Sequence, residues 1–204
     1  MKRQANLTEW TAGFFDGEGA VEGGVGVKES YSTGYSFHPM CRIKHSQVAG
    51  FFDAEGCIQA QIFSDNTSTV NYGVETKASL GHTTQEAGVE HALVEFCQRI
   101  GIEPSLSYSE GGENRQDYFS FRVQSKADVE TFLRELYPHL IVKKPEAKIM
   151  LEEILPRLNR KEHSTKRGFL RVMKWVDRLN SHKGGKRGKY NLEYFEDKWG
   201  MTLE

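Results

Sequence analysis

The chain has 204 residues, of which 38% are hydrophobic and 11% aromatic. This suits a packed globular core and excludes a disordered or fibrous chain. A formal net charge of −1 gives no overall attraction to a polyanion, and the three cysteines (Cys41, Cys57, Cys97) lack zinc-ligand spacing and leave an odd thiol. That excludes a disulfide scaffold and favours a reducing intracellular setting. Met1 to Asn6 is polar and no apolar run is long enough to span a bilayer, so no membrane partner is expected.

Leu7 to Phe15 reads as a helix with Asn6 or Thr8 as its cap. Ala20 to Lys28 reads as a glycine-rich strand and Tyr35 to Lys44 as a second, with Pro39 arguing for an edge or bulge. A second helix over Gln47 to Gly56 follows almost without a linker. The pattern then alternates, with Ile58, Ala60 and Ile62 on one face of a strand and Cys57, Gln59, Gln61 and Phe63 on the other. Val70 to Leu80 alternates in the same way. Thr83 or Thr84 caps a helix that runs to Ile100 and ends at Gly101. Ser105 to Glu110 and Tyr118 to Gln124 form a hairpin around Gly111 and Gly112. Helices over 126–136 (capped by Ser125, stopped by Pro138), 145–158 (Pro145 in its first turn), 166–179 and 191–199 complete the chain.

From Gln47 onward the order is helix, two strands, helix, two strands, helix, then further helices. It predicts an α+β unit with a four-stranded antiparallel sheet, apolar on one face and polar on the other. Such a polar face is either an ordinary solvated surface or one that reads base edges along a DNA groove. Between Arg157 and Lys189 twelve basic residues are opposed only by Glu162 and Asp177, as in a solvated tail or a phosphate-binding surface. Three segments follow from this pass: a truncated half-module over 1–46, a core domain over 47–160 and a basic helical extension over 161–204.

One stretch occurs twice. Trp10 to Gly19 reads WTAGFFDGEG and Gln47 to Gly56 reads QVAGFFDAEG. Ala12, Gly13, Ala49 and Gly50 let a second helix backbone approach closely. The acids that follow face the negative end of the helix dipole, a penalty that a bound cation removes. Gly56 is expected to end its helix in the left-handed conformation. A single copy could be a core helix with a glycine cap; two copies with acids at the same positions argue for a shared task.

Thr11 to Gly19 and Val48 to Gly56 both resemble the nine-residue motif of the LAGLIDADG homing endonucleases. Further runs are similar to the homodimeric algal chloroplast members: Gly56 to Ile62, Pro138 to Lys144, and Trp175-Val176-Asp177. The resemblance implies the αββαββα fold with a four-stranded antiparallel DNA-binding sheet. It implies a site-specific double-strand DNA endonuclease of the homing type that hydrolyses phosphodiester bonds with Mg²⁺ or Mn²⁺. Carried over by position, Glu55 and Glu18 are the catalytic, metal-binding acids, with Gly56 and Gly19 beside them. Gln85 falls near the attacking water and Lys143 near the scissile phosphate. Gln59, Gln61, Phe63, Glu75, Lys77, Ser79, Ser120 and Arg122 fall on DNA-contacting positions. Val89 departs from the pattern, since the homodimeric members carry a basic residue there. That keeps open a splicing maturase, with intron RNA as partner, or a DNA- or RNA-binding regulator without cleavage.

Asp16 and Asp53 are only 37 positions apart, too few for a full repeat. The expected assembly is therefore a homodimer through residues 47–56. The alternative pairs the two motif helices within one chain and brings Glu18 and Glu55 together.

Overall fold

The computed structural model describes residues 22–27, 35–40, 45–83, 88–112, 117–181 and 189–203. The upstream helix expected over Leu7 to Phe15 lies outside them. Strands β1 (Glu22–Val27) and β2 (Tyr35–Met40) pair antiparallel as a two-stranded sheet, and Pro39 sits in β2 opposite Gly23. Both strands of a two-stranded sheet are edges, where proline is tolerated.

The main unit runs α1 (His45–Glu55), β3 (Gly56–Ser64), β4 (Tyr72–Thr83), α2 (Gly88–Arg99), β5 (Ser105–Ser109), β6 (Tyr118–Val123) and α3 (Lys126–Leu136). Its four strands form one antiparallel sheet in the order β3-β4-β6-β5. This is the αββαββα order expected from the sequence. Burial alternates along β6 and along β3 as far as Phe63, with Ile58, Ala60, Phe119, Phe121 and Val123 buried beneath the helices. Ala78 and Leu80 of β4 join them, and Phe52, Phe96 and Phe121 meet Phe132 of α3 at ring-centroid distances of 5.4 to 6.0 Å. Ser125 caps α3 by accepting the Asp128 N–H at 3.0 Å, and Gly101 follows α2 at φ 75°, as a helix stop requires.

Where one helix was expected over 145–158, the chain makes α4 (Lys144–Lys148), a π-helical stretch (Ile149–Ile154) and α5 (Leu155–Asn159) without a break. The cause is Pro156, which has no N–H and would collide with the carbonyl four residues earlier in a regular helix. The Leu155 N–H reaches back five residues to the Met150 carbonyl, and the wider turn accommodates the ring.

Helices α6 (Lys166–Ser181) and α7 (Leu192–Trp199) close the apolar side of the sheet. Phe169, Phe195 and Trp199 surround Tyr72 of β4, whose hydroxyl accepts from the Lys198 ammonium at 2.7 Å. The C-terminal helices therefore share one hydrophobic cluster with the sheet. Cys97 lies inside this cluster, and burial pushes its thiol up to about 12, which keeps it inert. Among the described residues no helix is long and apolar enough to cross a membrane.

Gly56 differs from expectation. It does not take the left-handed conformation but opens β3 directly at the end of α1. Its missing side chain answers a close approach instead: a Cβ there would overlap the carbonyl oxygen and ring of Phe52. Gly56→Ala should destabilise the fold by about 1–3 kcal/mol, as overpacking does. Gly112→Ala, with nothing within 4 Å of the added Cβ, should be neutral. Urea denaturation of the two variants checks this, and equal midpoints would contradict it.

Candidate functional site

The two acids that end α1 part company. Asp53 is 2% exposed. Its Oδ2 accepts the N–H groups of Ile141 (2.7 Å) and Val142 (3.2 Å), and its Oδ1 accepts that of Lys143 (2.8 Å). The Lys143 ammonium donates in return to the Asp53 carbonyl. A carboxylate spent on three backbone donors is not free for a cation, so Asp53 is a clamp that ties the turn before α4 to the end of α1. Glu55, two residues on, is exposed.

Lys143 is half-buried, and burial pushes its ammonium below the ordinary lysine range. Interaction with Asp53 first, then with Glu146, the Cys57 sulfur and Glu55, pulls it back up. Glu55 and Lys143, carried from positions 88 apart in sequence, thus come within electrostatic reach of each other. Glu18, Gly19 and Gln85 lie outside the described residues, as does the side chain of Val89.

Among the described residues no group of three or more His, Cys, Asp or Glu side chains is placed to hold a metal ion. A hard divalent cation such as Mg²⁺ does not need one: it keeps several waters and uses one or two carboxylates plus substrate phosphates. An exposed carboxylate at the negative end of a helix fits that donor set. Glu55 alone would be one ligand of such a site, which a second carboxylate and a phosphate would have to complete.

From this end the polar face of the sheet runs outward. Register places Cys57, Ser79, Arg122 and Ser105 in one row across all four strands. Gln59 stands opposite Lys77, and Gln61 opposite Glu75. The Lys77 ammonium donates to Gln61 Oε1 at 3.3 Å, Gln61 Nε2 to Gln59 Oε1 at 3.4 Å, and Arg122 Nε to Ser120 Oγ at 3.2 Å. These bonds link the polar side chains along and across the strands of this face. Two glycines of β4 are roofed by rings from neighbouring strands. Phe63 covers Gly73 and Tyr118 covers Gly81. All eight side chains expected to contact DNA belong to this face: Gln59, Gln61, Phe63, Glu75, Lys77, Ser79, Ser120 and Arg122.

The expectation passed over β5 and Tyr118. Ser105, Ser107 and Ser109 are exposed and lie opposite Arg122, Ser120 and Tyr118. The alternation of serines with Leu106 and Tyr108 carried that signal.

No protein-family model and no curated protein matches this sequence. Among solved structures, the homing endonuclease I-CvuI in complex with its target in the presence of Ca is similar at 23% identity and a TM-score of 0.63, over 78% of this chain and 96% of that one. The archaeal intron-encoded homing endonuclease I-Vdi141I, complexed with DNA, is similar at 22% identity and a TM-score of 0.61, over 76% and 96%. The LAGLIDADG homing endonuclease I-LtrWI, bound to target DNA, is similar at 16% identity and a TM-score of 0.59, over 70% of this chain and 46% of that one.

Asp53→Asn keeps the size of the side chain but turns an NH₂ group toward backbone donors. It should lower stability by about 1–3 kcal/mol, the cost of a buried donor left unpaired. Chemical denaturation followed by circular dichroism measures the loss, and an unshifted midpoint would remove the clamp's structural role.

Proposed function

We propose that this chain, which has the fold of the LAGLIDADG homing endonucleases, is a site-specific endonuclease that hydrolyses phosphodiester bonds of a long double-stranded DNA target. The observation that carries this is the junction of two features. A polar, four-stranded, base-edge-compatible face ends at an exposed acid, Glu55, with Lys143 held beside it by Asp53. A face for reading alone needs neither.

The roles follow from the chemistry. The polar side chains of β3, β4 and β6 lie in the major groove and fix the register of the duplex. Glu55, with Glu18 of the upstream copy and the backbone at Gly56 and Gly19, would hold Mg²⁺ or Mn²⁺. When bound, the ion lowers the pKa of a water and neutralises phosphate charge. Gln85 orients that water. Lys143 faces the charge that develops on the phosphate, and its partial burial strengthens the contact. Glu55→Gln removes the charge that holds the ion but leaves the sheet intact. Cleavage of a duplex selected from a randomised library should therefore vanish while binding in Ca²⁺ stays within about threefold. Undiminished cleavage would sink the assignment, and a wild-type chain that binds but never cuts would favour the regulator or maturase.

The assembly expected from the sequence was a homodimer through residues 47–56. One observation favours the alternative, in which both motif copies pair within one chain. Ser46 to Asp53 are all buried in the single chain, and eight consecutive helical residues turn through more than two full circles. Every side of α1 is thus already covered, which leaves no open face for a symmetric seam. Light scattering of the Ca²⁺-held complex should give one chain per duplex; two chains would restore the homodimer.

A further inference from the structure

The twelve basic residues between Arg157 and Lys189 play no part in the site above, and the structure sorts those among the described residues. Arg157 pairs with Glu153 at 2.6 Å and Arg160 with Glu162 at 2.7 Å. Lys166 lies over the Trp199 ring and Lys189 over the Tyr190 ring. On α6 this leaves Arg167, Arg171, Lys174 and Arg178. All four are exposed, and none makes an ion pair among the described residues. Their spacings of four, three and four put them in one row about 16 Å long. The row lies opposite the buried stripe of Phe169, Val172, Met173 and Val176.

Such a row opposes helix formation. Like charges three and four residues apart cost about 0.2–0.5 kcal/mol per pair, and an ordinary solvated helix interleaves acids to avoid it. The single acid of α6, Asp177, is occupied in accepting the Leu192 N–H at 2.8 Å. The position of the row matters as much as its charge. Helix α6 packs on the apolar side of the sheet, its Phe169 ring 6.3 Å from that of Tyr72. Its outer surface therefore stands roughly 15–20 Å behind the polar face. Duplex DNA, with a persistence length of about 150 base pairs, strongly resists folding from the sheet round to the back of the molecule within a single target.

We propose that Arg167, Arg171, Lys174 and Arg178 form a second, sequence-independent binding surface for the phosphate backbone of a separate double-stranded DNA segment, so that one protein engages two segments at once. The inference rests on the DNA-binding reading of the sheet. It assigns to the back of the molecule a contact that catches neighbouring DNA while the front surveys sequence.

The test is a bridging assay with the full chain at low salt. A short non-target duplex on beads captures a fluorescent copy of itself through the protein. The wild type should bridge. The variant R167Q/R171Q/K174Q/R178Q, which keeps good helix formers at exposed positions, should lose bridging at least about tenfold. Its binding to a single duplex should change less than about threefold, and the slope of log binding against log salt for the second event should flatten by about 3 to 4. Bridging that survives in this variant would overturn the proposal, since it would come from two sheets in a dimer. Capture of structured RNA in place of duplex would overturn the DNA assignment. Adding K77Q/R122Q to the row variant separates the two surfaces. Single-duplex binding that is untouched by this addition would mean that the sheet reading has failed, whereas K77Q/R122Q alone, if it still captures a duplex and the row substitutions then abolish that capture, leaves the row standing.

Discussion

Three backbone amides converging on one buried carboxylate hold this molecule's working end together. Asp53 belongs to the last turn of α1, and its donors belong to the turn before α4, 88 to 90 residues later. The bond set fixes where α1 stops, how β3 departs, and where Lys143 stands relative to Glu55. It also explains why a lysine can be half-buried beside several acids without being neutralised by a single tight ion pair. The ammonium is committed to a carbonyl and balanced by a diffuse ring of negative charge. The electrostatics of the site are thus set by backbone geometry more than by any one pair of side chains.

The sheet extends this constraint outward. Gly56 lets α1 and β3 meet with no intervening loop, so the register of β3 is set at the same point as the clamp. Register then propagates through β4 to β6 and β5, and the row from Cys57 to Ser105 lies at a fixed depth from Glu55. Behind the sheet, α6 and α7 seal the apolar face around Tyr72. The polar face therefore carries little of the burden of stability, which leaves its side chains available for recognition.

Much of this was legible in the sequence, for physical reasons. Strict alternation over Cys57 to Phe63 and Tyr118 to Val123 has one structural meaning when one face is buried, and the AGFFD run over residues 49–53 marked α1. The local signals of Ser125 and Gly101 were equally plain. What escaped depended on distance or on close contact. The role of Asp53 could not be read because its partners lie far along the chain; as a bare pattern it looked like a twin of Glu55. Gly56 invited a left-handed cap because nothing local revealed the Phe52 carbonyl against it. The π-helical stretch follows from Pro156, whose effect falls on the residues before it. The basic segment looked uniform until its acid and aromatic neighbours in space could be subtracted.

The roofed glycines of β4 carry a consequence for how such a surface changes over time. Phe63 over Gly73 and Tyr118 over Gly81 are each a two-residue unit, ring and gap together. Replacing the ring by a smaller side chain bares a stretch of glycine backbone, and replacing the glycine evicts the ring. A change at one position is felt at the other. Gln59, Gln61, Lys77 and Ser120 stand on ordinary strand positions and can be exchanged one at a time. The surface therefore divides into positions that change singly and positions whose changes are coupled in pairs. On the DNA-reading proposed above, a lineage adapting to a new partner sequence would move more quickly through the first set than through the second.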